Sequence, residues 1–181
     1  MTTFETAPHP QTAPAPANEP GPGTSSLDLV TEKYQRPDLY LSPAEVDSPW
    51  VPWTEGTWLR HIQFDVRQNT WAQILRVAPG AQLGRHRHRG TVDGVVLSGS
   101  WGYREYDWTA TAGGYVHESP GVIHTLFSDE GMETFFFVGG TLEFYDDDDN
   151  LTGTNDVFWY IDHYLNHCKK HGLKVNEELF L

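Results

Sequence analysis

Between residues 57 and 145 no apolar or alternating run lasts more than about ten residues before glycine or proline interrupts it. The runs fall at 58–66, 71–77, 91–97, 101–108, 115–118, 123–127, 133–138 and 142–145. The breaks carry Pro79 and Gly80, Gly99, Gly113 and Gly114, Pro120 and Gly121, Gly131, and Gly139 and Gly140. Segments this short, spaced by roughly 8 to 12 residues, predict an all-β fold: an antiparallel jelly roll closed into a small barrel. Seven Trp, eight Tyr and nine Phe suit either such a fold or a pocket lined by rings.

The ends of the chain read differently. Residues 1–30 alternate Pro8, Pro10, Pro14, Pro16, Pro20 and Pro22 with Ala, Thr and Gly, which denies them both a helix and a core. A disordered arm is expected there, followed by a single domain over 31–181. A helix is expected at about 155–171, capped by Asn155 or Asp156 and ended by Gly172. Phe158, Ile161, Leu165 and Cys168 would form its apolar stripe, with Cys168 a buried thiol, and His163, His167 and His171 a solvated or interface face.

Histidines supply the chemistry. His86 and His88 stand two apart on an extended segment, so both leave the same face, and His124 follows the Pro120-Gly121 turn. Three neutral imidazoles suit a transition metal and leave positions open for water, dioxygen or a chelating substrate. Arg85 and Arg87 alternate with the histidines and are expected to face away from them.

Charge and cysteine usage narrow the setting. With 12 Lys plus Arg against 25 Asp plus Glu, the net charge of -13 repels nucleic acid and anionic membranes. The run Asp146 to Asp149 lacks calcium-loop spacing and reads as a solvated hairpin tip. A single cysteine excludes an internal disulfide. No run approaches the about 20 apolar residues of a membrane span, and no secretory signal is apparent, so a cytoplasmic protein is expected. Exposed barrel edges and the tail Leu179, Phe180 and Leu181 suggest a homo-oligomer.

Gly80, His86 and His88, followed by Gly114, Pro120, Gly121 and His124, resemble the two sequence motifs of the cupin superfamily. The resemblance implies a β-barrel whose motif histidines meet around a metal inside. The superfamily's usual glutamate ligand has two anchors here. Counting five residues on from His88 gives Asp93, and counting seven back from Gly99 gives Val92. Gly99 shares a strand with the ligand position, so the glycine anchor is preferred, leaving three histidines with Asp93 as the alternative fourth ligand.

A longer match runs through residues 86–88, 101–108, 112–116, 120–126 and the late helix. It is similar to the 2,4'-dihydroxyacetophenone dioxygenase family of cupins over roughly 49–173. That resemblance implies a non-haem Fe(II) enzyme that uses O2 to split an aryl hydroxyketone into an aromatic acid and formate. Such chemistry needs a base, and Glu118 and Glu105 are the candidate catalytic residues; His117 and Glu118 are adjacent in a strand, so at most one points inward. Trp101, Tyr103, Tyr115, Phe135 and Phe137 are the expected ring-binding walls. The alternatives are a metal-dependent cupin enzyme acting on another chelating small molecule such as a β-diketone, and a non-catalytic zinc-binding cupin sensor.

Overall fold

The structure is a computed structural model that describes residue 33, residues 38–45 and residues 47–181. The arm expected over 1–30 lies outside the described residues. The strands are β1 (Trp50–Pro52), β2 (Thr57–Asp65), β3 (Thr70–Val77), β4 (His86–His88), β5 (Val92–Tyr103), β6 (Ala110–Thr111), β7 (Tyr115–Glu118), β8 (Ile123–His124), β9 (Leu126–Phe127), β10 (Met132–Gly139), β11 (Leu142–Tyr145) and β12 (Leu151–Asn155). Helix α1 (Val157–His171) and a 3-10 turn at Glu177–Leu179 follow.

The larger sheet runs β1-β2-β3-β10-β5-β6, with β7 and β9 also pairing to β5, and the smaller runs β12-β11-β4-β8. Side chains from both sheets enclose one interior. Leu75, Phe136 and Val138 come from the larger sheet, and His86, His88 and Leu142 from the smaller. This is the expected all-β jelly roll with a C-terminal helix.

One break in the sequence pattern is not a turn. β5 passes straight through Gly99, because the interruption is a β-bulge: Met132 pairs with Gly99 and Glu133 with Ser98, but Thr134 pairs with Val96, so Leu97 is the extra residue. Gly99 takes φ +70, and a Cβ there would lie 1.9 Å from the carbonyl oxygen of Gly131. The bulge reverses the phase of the strand. Val92, Gly94 and Val96 are buried before it, and Trp101 and Tyr103 after it.

The opposite error occurs on β10, where the inward face is Met132, Thr134, Phe136 and Val138. Phe137, expected as a pocket wall, is 39% exposed, and Tyr115 on β7 is 64% exposed. Phe135 is only partly buried. A one-residue error in phase puts every side chain on the wrong face, so Phe136 takes the place assigned to Phe135 and Phe137.

α1 begins at Asp156, whose carboxylate accepts from the Trp159 N–H at 3.0 Å, and ends at Gly172 with φ 65. Its buried face is Val157, Tyr160, Tyr164 and Cys168, whereas Phe158 is 58% exposed. The helix therefore buries tyrosines that a reading of aliphatic periodicity passes over. Tyr160 stacks on Trp71 at 4.5 Å between centroids, and the Tyr164 hydroxyl accepts from the Asn176 N–H at 2.9 Å. His163 is also docked rather than solvated. Its Nδ1 lies 3.3 Å from His61 Nε2, and its Nε2 donates to the Pro52 carbonyl at 2.8 Å.

The tail Leu179, Phe180 and Leu181 packs on its own sheet. Leu179 is fully buried, Phe180 bridges to Phe64 in parallel, and the Leu181 N–H donates to the Phe64 carbonyl at 2.9 Å. The Asp146 to Asp149 run is a hairpin tip, in which Asp146 Oδ1 accepts from the N–H groups of Asp148 and Asn150.

Gly99→Ala combines a left-handed backbone with a backbone collision that no rotamer relieves. It is expected to cost about 3 kcal/mol of unfolding free energy, read as a lower urea midpoint with an unchanged slope. A variant as stable as the parent would contradict the bulge.

Candidate metal centre

Three short strands bring the histidines together. His86 pairs directly with His124 across β4 and β8, and Phe144 and Leu142 of β11 pair with His86 and His88 on the other side. The Pro120-Gly121 turn that delivers His124 is tied back to β4, because the Gly121 N–H donates to the His88 carbonyl at 2.9 Å. Gly121 holds φ +96 there. One potential ligand atom from each of His86, His88 and His124 lies within 4.8 Å of the others, and all three residues are buried.

The protonation states suit a metal. His86 donates Nδ1–H to the Gly84 carbonyl at 2.7 Å, which leaves Nε2 with a free lone pair. Burial lowers His86 to about 4 and His124 to about 3, and lowers His88 well below the ordinary imidazole value. All three are neutral imidazoles at pH 7.

Glu118 enters from β7. It is the direct cross-strand partner of Val92 and, like Val92, it faces inward. A carboxylate therefore reaches the histidines from the neighbouring strand, while Val92 of β5 is an apolar wall. Glu118 Oε1 accepts from the Tyr103 hydroxyl at 2.5 Å. Its Oε2 lies 3.3 Å from His88 Nε2 and 3.6 Å from His124 Nε2. Glu118 Oε2 and His124 Nε2 are buried without a hydrogen-bond partner. Two converging, unsatisfied acceptors beside the imidazoles of His86 and His88 fit a bound cation. Burial also raises the Glu118 carboxyl to about 7.

The other sequence candidates lie elsewhere. Asp93 points out of the barrel, where Oδ1 accepts from Tyr115 and pairs with His117 Nδ1 at 2.8 Å. Glu105 sits in an exposed turn, where its carboxylate accepts from the backbone N–H of Thr125 at 2.8 Å and from its hydroxyl at 3.1 Å. It braces the residue after His124 and does not line the interior. Arg87 and Arg85 face away from the histidines as expected, pairing with Glu143 and Asp149 at 2.7 Å each. Of the expected ring-binding walls, Tyr103 lines the site, stacked on His124 at 3.8 Å and 5°. Phe136, Trp53, Trp71 and Tyr160 line the interior without having been anticipated. The strand phase of β10 would have identified Phe136; the others need the tertiary fold.

A model of the ChrR cupin-like domain matches residues 42–143. None of the curated proteins compared matches the chain. Among solved structures, an RmlC-like cupin protein from Ralstonia eutropha JMP134 is 34% identical over 71% of this chain and 86% of its own, with a TM-score of 0.68. A cupin-like protein of unknown function from the same organism is 27% identical over 66% and 78%, with a TM-score of 0.62. An acetylacetone dioxygenase from Acinetobacter johnsonii is 20% identical over 73% and 94%, with a TM-score of 0.67, a likeness of fold.

Two outcomes are expected of this geometry. His124→Ala should lose stoichiometric metal after dialysis while Asp93→Ala keeps it, both measured by elemental analysis. Metal retained by the first variant or lost by the second would refute the ligand assignment. The second outcome concerns acid stability of the metal-free protein. The folded-state pKa of His86, His88 and His124 is depressed, so the unfolded chain takes up their protons first as pH falls. The stability they contribute is whole above about 6.5 and is lost as pH falls, down to about 4 for His86 and about 3 for His124, with His88 acting in the same direction. Glu118 runs the other way, because its raised pKa stabilises the fold below about 7, offsetting one of the three. The urea midpoint should therefore fall on acidification, with His86 alone contributing on the order of 3 kcal/mol. A flat profile would contradict the burial of neutral imidazoles.

Proposed function

The chain belongs to the ChrR cupin-like family, and from that premise we propose that it is a non-haem Fe(II) dioxygenase acting on a chelating carbonyl compound. The substrate class proposed is an aryl hydroxyketone of the 2,4'-dihydroxyacetophenone kind. One observation carries the reading: three neutral imidazoles converge on one point beside a buried carboxylate that has no partner for its second oxygen. A sealed structural zinc site would instead close its coordination with four protein ligands.

His86, His88 and His124 would hold the metal, which supplies Lewis acidity and electrons for dioxygen. Three neutral ligands leave the cation's charge uncompensated, which favours an anionic two-oxygen chelate. Glu118 is the proposed base. Its Oε2, which has no hydrogen-bond partner and lies 3.3 Å from His88 Nε2 and 3.6 Å from His124 Nε2, is placed to take a proton from a substrate chelated there and return it. Tyr103, stacked on His124, fixes the other carboxylate oxygen and so aims Oε2 at the site. The balance is Ar–CO–CH2OH plus O2 giving Ar–COOH plus HCOOH. The bond between the ketone and hydroxymethyl carbons breaks, and both oxygen atoms end in the two acids.

A β-diketone is the second reading, supported by the likeness of fold to the Acinetobacter johnsonii enzyme, since it offers the metal a similar two-oxygen bite. No helix among the described residues is long and apolar enough to cross a membrane. The reducing cytoplasm is the compartment proposed, as it suits both Fe(II) and the buried free thiol of Cys168.

Anaerobically iron-loaded protein should take up O2 with 2,4'-dihydroxyacetophenone and release equimolar formate. Glu118→Gln should retain iron and lose about 100-fold or more in kcat, the usual range for a general base. Uptake with acetylacetone alone would move the substrate to the diketones. Stoichiometric zinc with no uptake on either compound would favour the sensor.

A further inference from the structure

The metal centre stands between two cavities of very different size. The inner one, bounded by His86 and His88 and walled by Trp71, Phe136 and Tyr160, has a cavity volume of about 30 Å³. The outer one, bounded by His124 and walled by Tyr106, Trp108, Val116 and Val122, has about 220 Å³. Tyr103 and Glu118 border both and form the partition. A cavity of about 150 Å³ is what a benzene ring needs, and a single water needs about 10–15 Å³. The inner cavity excludes a ring; the outer one has room for it.

The outer walls also carry the right chemistry. Tyr106 and Trp108 lie nearly parallel, at 15° and 5.7 Å between centroids. Trp108 meets Tyr103 edge to face at 5.7 Å, and Tyr103 stacks on His124. This is an aromatic ladder running from the surface to a metal-facing imidazole. Trp108 and Val122 are each 38% exposed, large apolar side chains left open to an entering ligand.

We propose that the outer cavity is the aryl subsite, in which the substrate's ring packs against Trp108 and Val122 while its two oxygens reach the centre past His124. The inference rests on the chelating-ketone reading above and adds where the organic group sits and which residues select for it. Tyr106 and Trp108 lie on the turn after β5, and Val122 on the turn before β8, so ring selectivity is set by surface turns outside the barrel interior.

The test is calorimetric and independent of turnover. Zinc-loaded protein, which does no redox chemistry, is titrated with 2,4'-dihydroxyacetophenone and with hydroxyacetone, which carries the same chelating group without the ring. Wild type should bind the aryl compound about tenfold or more tighter, the order expected from burying a ring. Val122→Trp, which fills the cavity, and Trp108→Ala, which removes its wall, should each abolish that advantage with zinc content unchanged. Neither residue is in the core, so each variant should fold. An aryl advantage preserved in both variants, or absent from wild type, overturns the subsite. Ring binding lost in the variants of a protein that consumes no oxygen would retain the subsite and refute the oxygenase reading. Undiminished oxygen uptake on the aryl ketone by Val122→Trp would do the reverse.

Discussion

Much of this structure follows from burying three imidazoles in a neutral state. Two come from β4 and the third from β8, its antiparallel neighbour, so the cluster exists only while those short strands stay in register. The backbone clasp from Gly121 to the His88 carbonyl and the hold of Glu105 on Thr125 secure that register on either side of His124. Outside the barrel, Glu143 on β11 joins Arg87 and Arg89 and fastens the same edge from the solvent face. The Arg89 side of this cluster is exposed and contributes little alone, whereas Arg87 and Glu143 are partly buried. Together they surround a site whose three imidazoles and carboxylate are all buried.

The carboxylate at this centre turns on the same desolvation. Glu118 and the histidines are shifted in opposite directions by one cause, since burial disfavours whichever form is charged. The result is a site with little charge of its own in a molecule of net charge -13. A dication held by the histidines would supply the charge that burial withholds, and the unpartnered Glu118 oxygen lies where that charge would be felt.

The strand-and-turn rhythm was legible because glycine and proline mark most turns, and the helix ends because Asp156 and Gly172 are ordinary caps. The histidine triad was legible because two of its members need only period-two alternation. Faces were harder. Gly99 looked like a turn because a bulge needs the same residue, and β10 was read one residue out of phase because every position from Phe135 to Val138 is apolar. Between the two candidate bases, sequence offered no way to choose. Glu118 is set by pairing opposite Val92, a relation between residues more than twenty positions apart, whereas Glu105 is held in an exposed turn by the N–H and hydroxyl of Thr125. The N-terminal strand β1 and the hairpin strand β12 escaped notice because three residues and a Gly-Thr-rich five carry no periodic signal.

The bulge at Leu97 also divides one strand into two inward-facing parts. Before it, β5 contributes Val92, an apolar wall beside the histidines; after it, β5 contributes Tyr103, whose hydroxyl donates to Glu118. Without the shift in phase, Val92 and Tyr103, which are of opposite parity, would lie on opposite faces of the sheet. One strand can therefore serve the interior at both ends although its two inward residues differ in parity.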